Sequence, residues 1–186
     1  MSDLTEQAAA ADLVTARIAA HPPEAALARA DGRWVLTMTR ALRQPPERVW
    51  PMLTEPGQLS RWSPVVPDRP LTSVGPAISH ETPDQPAVDV TVLACDPPRK
   101  LVHRWGDHLL RWVLTPVRGG SRLTLEQTFG QPDDAAMYAA GWHLCLAVLE
   151  VLDGGDEAGR VVGERARDYG WAELRDRYQN RLGLTG

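Results

Sequence analysis

The sequence predicts an α+β fold in which one antiparallel sheet wraps a single long helix. Three observations predict it. Apolar residues alternate with a period of two across residues 88–127, a segment over 133–153 is helical in period and apolar on nearly every side, and two short helical stretches separate the first strand from the rest of the sheet.

Taken in order, residues 4–20 read as an Ala-rich helix with a thin apolar stripe of Leu4, Ala8, Ala11, Val14 and Ile18, stopped by His21-Pro22-Pro23. It is expected to be an add-on packed against the domain. From Arg33 the period changes to two, with Trp34, Leu36, Met38 and Ala41-Leu42 as a first strand. Pro45-Pro46-Glu47 then preorganises a helix start, giving a short helix through Val49, Trp50 and Leu53 and a second over residues 54–59. The Pro-rich stretch 63–86 reads as short strands, Leu71–Val74 and Ala77–His80, about a Gly75-Pro76 turn. Strands follow at Val88–Leu93, Leu101–Trp105, Leu110–Leu114 and Leu123–Gln127, separated by Asp96-Pro97-Pro98, Gly106-Asp107 and Arg118-Gly119-Gly120, which makes an antiparallel meander.

After Pro132 the period becomes helical, with Asp133 or Asp134 as cap and Gly154 as stop. Tyr138, Trp142, Cys145, Leu146, Leu149 and Leu152 share one face, while Leu144, Val148 and Val151 make other sides apolar too, so this helix belongs in the concavity of the sheet. A last helix is expected from about Gly163 to Leu182, clamping the outside of the domain through Trp171, Leu174 and Tyr178. The organisation is a helical extension over 1–30, the sheet-and-helix domain over 31–155, and a C-terminal helical extension over 156–186.

Composition narrows the function classes. A hydrophobic share of 43% and a charged share of 24% are those of a folded protein. A net charge of -4 with interspersed signs offers no basic stripe for phosphates, so neither nucleic acid nor a membrane surface is an expected partner. No stretch reads as the roughly 18 apolar residues of a membrane span, and Asp3, Glu6 and Asp12 do not suit a signal peptide, so a cytoplasmic location is expected. Cys95 and Cys145 lie fifty residues apart, without zinc-ligand spacing, and read as reduced core residues. Seven Trp against one Phe suit a semi-polar cavity, because each indole brings a broad apolar face and an N–H that wants a partner.

Motifs of chemistry are few. His103, Arg104, Asp107 and His108 place an acid, bases and a cation within six residues, yet on a strand His103 shares a face with Leu101 and Trp105 while Arg104 points away. There is no nucleophile elbow, phosphate loop or dinucleotide fingerprint, and His143 has no metal-ligand partner at helical spacing. Glu126 alternates opposite to Leu125 and Gln127 and is expected to face solvent. No catalytic residue, metal or cofactor is assigned.

Arg40-Ala41-Leu42, Pro46-Glu47-Arg48-Val49-Trp50 and Leu53-Thr54-Glu55-Pro56-Gly57-Gln58-Leu59-Ser60-Arg61-Trp62 carry a resemblance to the SRPBCC (START-like) superfamily, and within it to the branch named for the activator of heat-shock protein 90 ATPase. Asp96-Pro97-Pro98-Arg99-Lys100-Leu101 leading into Trp105, the strand Gly119–Leu125, and Gly141-Trp142 continue the resemblance, which spans residues 34–153. It implies a helix-grip fold and a cavity between helix and bent sheet. Because such domains include chaperone activators, cyclases, lipid carriers and uncharacterised bacterial proteins, it implies no single activity. The leading expectation is a small hydrophobic or aromatic ligand buried against Trp62, Trp105, Trp112, Tyr138 and Trp142, with His103 or Gln127 orienting its polar end. A cyclase or dehydratase using His103 or Tyr138 as general acid or base is the second. A non-catalytic modulator of a chaperone or other ATPase is the third, and the absence of a large N-terminal domain of the kind that contacts the chaperone sets it behind. The terminal helices are expected either to close the pocket or to pair two copies as a homodimer.

Overall fold

The computed structural model describes residues 2–81 and 85–184, with side chains from Ala8 onward, so Leu4 of the first apolar stripe lies outside the described side chains. The chain runs α1 (Ser2–Ala20), β1 (Ala26–Ala30), β2 (Arg33–Leu42), α2 (Pro46–Thr54), α3 (Pro56–Leu59), β3 (Ile78–Ser79), β4 (Val88–Asp89), β5 (Val92–Asp96), β6 (Lys100–Trp105), β7 (His108–Val117), β8 (Gly120–Phe129), α4 (Ala135–Asp153) and α5 (Trp171–Arg181). Six strands form one antiparallel sheet in the order β1-β2-β8-β7-β6-β5, and β3 pairs with β4 in a two-stranded flap. This is the helix-grip architecture expected from the alternation and the long apolar helix.

Register explains which side chains meet α4. Leu36 lies opposite Gln127, Met38 opposite Leu125 and Arg40 opposite Leu123. Leu110 and Trp112 continue those rows on β7, and His103 and Leu101 continue them on β6. Because side chains alternate across a strand, these residues share the inner face. On the outer face Arg111 and Glu126 stand opposite each other and pair at 2.7 Å. Sixteen of the nineteen α4 residues are buried, which only a core helix can show. Pro132–Asp153 is long and apolar enough to cross a membrane by composition, contrary to the sequence expectation, but the domain buries most of it.

Five details differ from the expectation. The expected strand Val88–Leu93 is two, β4 in the flap and β5 in the main sheet. The sheet begins at Ala26, because backbone pairing with Arg33–Thr37 recruits an ALARA segment that has no β-branched residue to announce it. Leu71–Val74 is irregular and only Ile78–Ser79 is a strand. Neither Asp133 nor Asp134 caps α4 with its side chain; Pro132–Asp134 is a 3-10 turn instead. The C-terminal helix is divided into a 3-10 segment, Gly163–Tyr169, and α5 by Gly170, whose φ of 74° is a left-handed conformation that glycine adopts without a Cβ clash.

The terminal helices are tied to the core by buried polar groups. Arg40 Nε lies 3.1 Å from Glu150 Oε1, and Glu150 Oε2 accepts from His21 Nε2 at 2.8 Å. His143 Nε2–H donates to the Ile18 carbonyl at 3.1 Å, which fixes its tautomer and makes Nδ1 the acceptor for the Tyr178 hydroxyl at 2.9 Å. One helix residue thereby contacts both α1 and α5.

Candidate functional site

The inner space between α4 and the sheet is filled. Trp62, Trp112, Trp142 and Trp105 pack edge to face in series, with ring centroids 5.8, 5.3 and 5.7 Å apart. Trp62 donates its indole N–H to the Met52 carbonyl at 2.9 Å, Trp112 to His103 Nε2 at 3.1 Å and Trp142 to Gln127 Oε1 at 2.7 Å. His103 thus has both nitrogens engaged, since its Nδ1–H donates to the Arg104 carbonyl at 2.7 Å. Desolvation pushes this imidazole down to about 4 and holds it neutral. With no free lone pair or proton it is poorly placed for acid–base chemistry.

An open cleft of about 380 Å³ lies to one side of this filled space. Its floor is the first half of α4, with Met137, Tyr138, Gly141, Trp142 and Cys145; Trp105 stands on the sheet side. The facing wall comes from the C-terminal extension through Val161, Val162, Ala166, Arg167 and Trp171, and Pro64 and Glu81 complete the lining. Arg160 holds that wall, donating to the Ser63 and Glu81 carbonyls at 2.7 Å each. Of the proposed ligand-binding residues, Trp105, Tyr138 and Trp142 line the cleft. Trp62, His103, Trp112 and Gln127 sit behind it in the packed interior.

A polar relay runs from the interior to the cleft. The Trp142 indole N–H can only donate, so the Gln127 atom facing it is the amide oxygen, and the Gln127 NH2 donates to His108 Nδ1 at 2.9 Å. His108 therefore carries its proton on Nε2, which lies 3.5 Å from the Tyr138 hydroxyl, long for a hydrogen bond. Burial, then the charge of Arg33, lowers the His108 pKa, and burial raises that of Tyr138, so both side chains are held in their neutral forms. Cys145 also lines the cleft, but burial pushes its thiol up to about 12, which makes it a poor nucleophile at neutral pH.

The facing wall has no signature in the sequence. Val161, Val162, Ala166 and Arg167 have no periodic signal that points at α4. Gly141 was legible as an interruption in an otherwise continuous helix, because a helix-interior glycine costs about 1 kcal/mol relative to alanine.

A pH prediction follows from the imidazoles. His103 and His143 are both depressed to about 4. Each binds a proton more readily in the unfolded chain, so the stability it contributes is complete above about pH 6.5 and is lost as pH falls toward 4, at up to about 1.4 kcal/mol per pH unit for each site. Urea midpoints between pH 7 and 4.5 should fall with steepening slope, and imidazole resonances of both residues should stay unprotonated at pH 5.5. Protonation of either near pH 6.5 in the folded protein would contradict the packing described.

No curated protein matches the chain. The solved structure of EF2215 from Enterococcus faecalis, a conserved protein of unknown function, matches with a TM-score of 0.71 at 17% identity, covering 92% of this chain and 97% of that one. The solution NMR structure of CalU16 from Micromonospora echinospora matches at 0.69 and 21% identity, over 87% and 93% of the two chains. DynU16, from the dynemicin biosynthetic locus, matches at 0.58 and 20% identity, over 66% of this chain and 48% of that one. These likenesses establish a shared fold. The sequence profile described as Activator of Hsp90 ATPase homolog 1-like protein matches residues 43–152, well over half of the chain. The first short helices, the meander and nearly all of α4 fall inside those bounds, and the chain belongs to that family.

Proposed function

We propose that the protein binds a small, flat, largely apolar molecule in the lateral cleft. One observation carries this reading: the three α4 residues that are not buried, Met137, Tyr138 and Gly141, all line the cleft. The core helix is covered everywhere except where the cleft opens, and it carries a glycine there. The cleft is within the size range of small-molecule sites, roughly 300–1,000 Å³, and its walls are mainly apolar and aromatic with few polar groups. The location of DynU16 in a biosynthetic locus makes the products and intermediates of biosynthesis the first ligand class to screen.

Gly141 supplies the test. A Cβ added there meets nothing within 4 Å, and the residue lines the cleft, so a longer side chain is expected to extend into the cleft from that position. Gly141→Ala should raise stability by about 1 kcal/mol through helix propensity. Gly141→Leu should keep the fold while occupying the ligand's space. Native mass spectrometry of the purified wild type should show a retained adduct, or take one up from an extract, and the leucine variant should lose it. An adduct retained equally by Gly141→Leu would place the ligand elsewhere.

A further inference from the structure

We infer that the cleft selects an aromatic anion, such as a ring-borne carboxylate, over a neutral or cationic molecule of the same shape; this rests on the ligand-binding reading above and adds the ligand's charge. Trp62, Trp112 and Trp142 spend their indole N–H groups on protein acceptors. The two tryptophans that line the cleft with Trp142, Trp105 and Trp171, differ: among the described residues neither N–H has an acceptor, although an indole nitrogen can only donate. The guanidinium of Arg167, on the same wall, enters no hydrogen bond or ion pair among the described residues.

Tyr138 adds a further donor. The chain of donors Trp142 to Gln127 to His108 directs the His108 Nε2–H toward the Tyr138 oxygen, which leaves the phenolic proton available to an acceptor outside the relay. Arg167 and Glu81 both line the cleft, and Arg160, with a buried Nη2 that has no acceptor among the described residues, and Asp134, whose charge acts on Tyr138, stand beyond the lining. The formal charges balance, so the preference rests on the unspent donors. Such donors favour an anionic acceptor, because hydrogen bonds to ionised partners are about twice as strong as neutral ones.

Three probes that share one ring system separate the possibilities: 2-naphthoate, 2-naphthylmethanol and 2-naphthylmethylammonium, titrated calorimetrically into the full chain at pH 7. Naphthoate should bind roughly tenfold more tightly than the alcohol, and the ammonium more weakly than either. Arg167→Gln and Tyr138→Phe should each reduce the preference for the acid, and Arg167→Glu should invert the order of acid and ammonium. Arg122→Gln, which removes an exposed charge on the β8 strand away from the cleft, should leave the order intact. Equal affinity for all three probes, or an order unchanged in Arg167→Glu, would overturn the charge inference and leave the cleft a binding site. Failure of every probe to bind at millimolar concentration would overturn the ligand-binding reading and the inference with it.

Discussion

Replacing Trp142 with alanine should lower stability by about 3–5 kcal/mol, the range for truncating a buried large aromatic. Trp142 is only 2% exposed and packs between Trp105 and Trp112. Its loss opens space that the neighbouring rings cannot collapse into without leaving their edge-to-face positions. It also strips the donor from Gln127 Oε1 on a fully buried residue, and a buried amide oxygen without a partner costs about 1–3 kcal/mol. Trp142→Phe separates these effects, because it restores most of the apolar volume but not the N–H; it should recover about half the loss. Trp112→Ala should cost a similar amount, since it empties the same interior and leaves His103 Nε2 without its donor. The two variants diverge in binding: Trp112 does not line the cleft and Trp142 does, so the loss of Trp142 removes a wall as well. Urea unfolding of the three variants gives the energies. A cost below about 1 kcal/mol for Trp142→Ala would mean that the interior is loosely packed.

Most of the fold was legible because its signals are local. A strand with one buried face must alternate, and a helix buried on all sides must be apolar on all sides, so residues 88–127 and 135–153 announce themselves. β1 was illegible for the converse reason: Ala-Leu-Ala-Arg-Ala is mostly exposed, and it is a strand because β2 offers an edge, a cause that lies outside the segment. The division at Gly170 was visible only as a glycine, and whether such a residue interrupts or ends a helix depends on what the next turn packs against.

The candidate site was legible in its chemistry more than in its location. Alternation correctly put His103, Trp105 and Trp112 on one inner face with Trp142 opposite, but alternation says nothing of the distance between two packed faces. Edge-to-face rings close that distance, and the open volume moves to the side. Its far wall is a segment of the C-terminal extension whose contact with α4 depends on the path of the chain after Gly154 and on Arg160 reaching Ser63 and Glu81. Pairings across such sequence distances have no periodic signature.

The same is true of Arg40 and Glu150, where the second large effect is expected. Arg40 is 5% exposed and Glu150 8%, and they meet at 3.1 Å across β2 and α4. Nε and Nη2 of Arg40 and Oε1 of Glu150 lack a well-directed hydrogen bond among the described residues, so the pair holds by charge more than by geometry. Desolvation makes such a pair a weak source of net stability, but removing one partner strands the other charge in the core. Arg40→Met alone and Glu150→Leu alone should each therefore cost about 3–5 kcal/mol, while the double variant, which strands neither, should cost less than either single. The singles should also speed amide exchange in α1, because Glu150 holds His21 just beyond that helix and His143, two turns earlier on α4, holds the Ile18 carbonyl. Additive costs in the cycle, with α1 exchange unchanged, would show that the two charges act independently and that the apolar contacts of Val14 and Ile18, with the His143 bond to the Ile18 carbonyl, keep α1 in place without them.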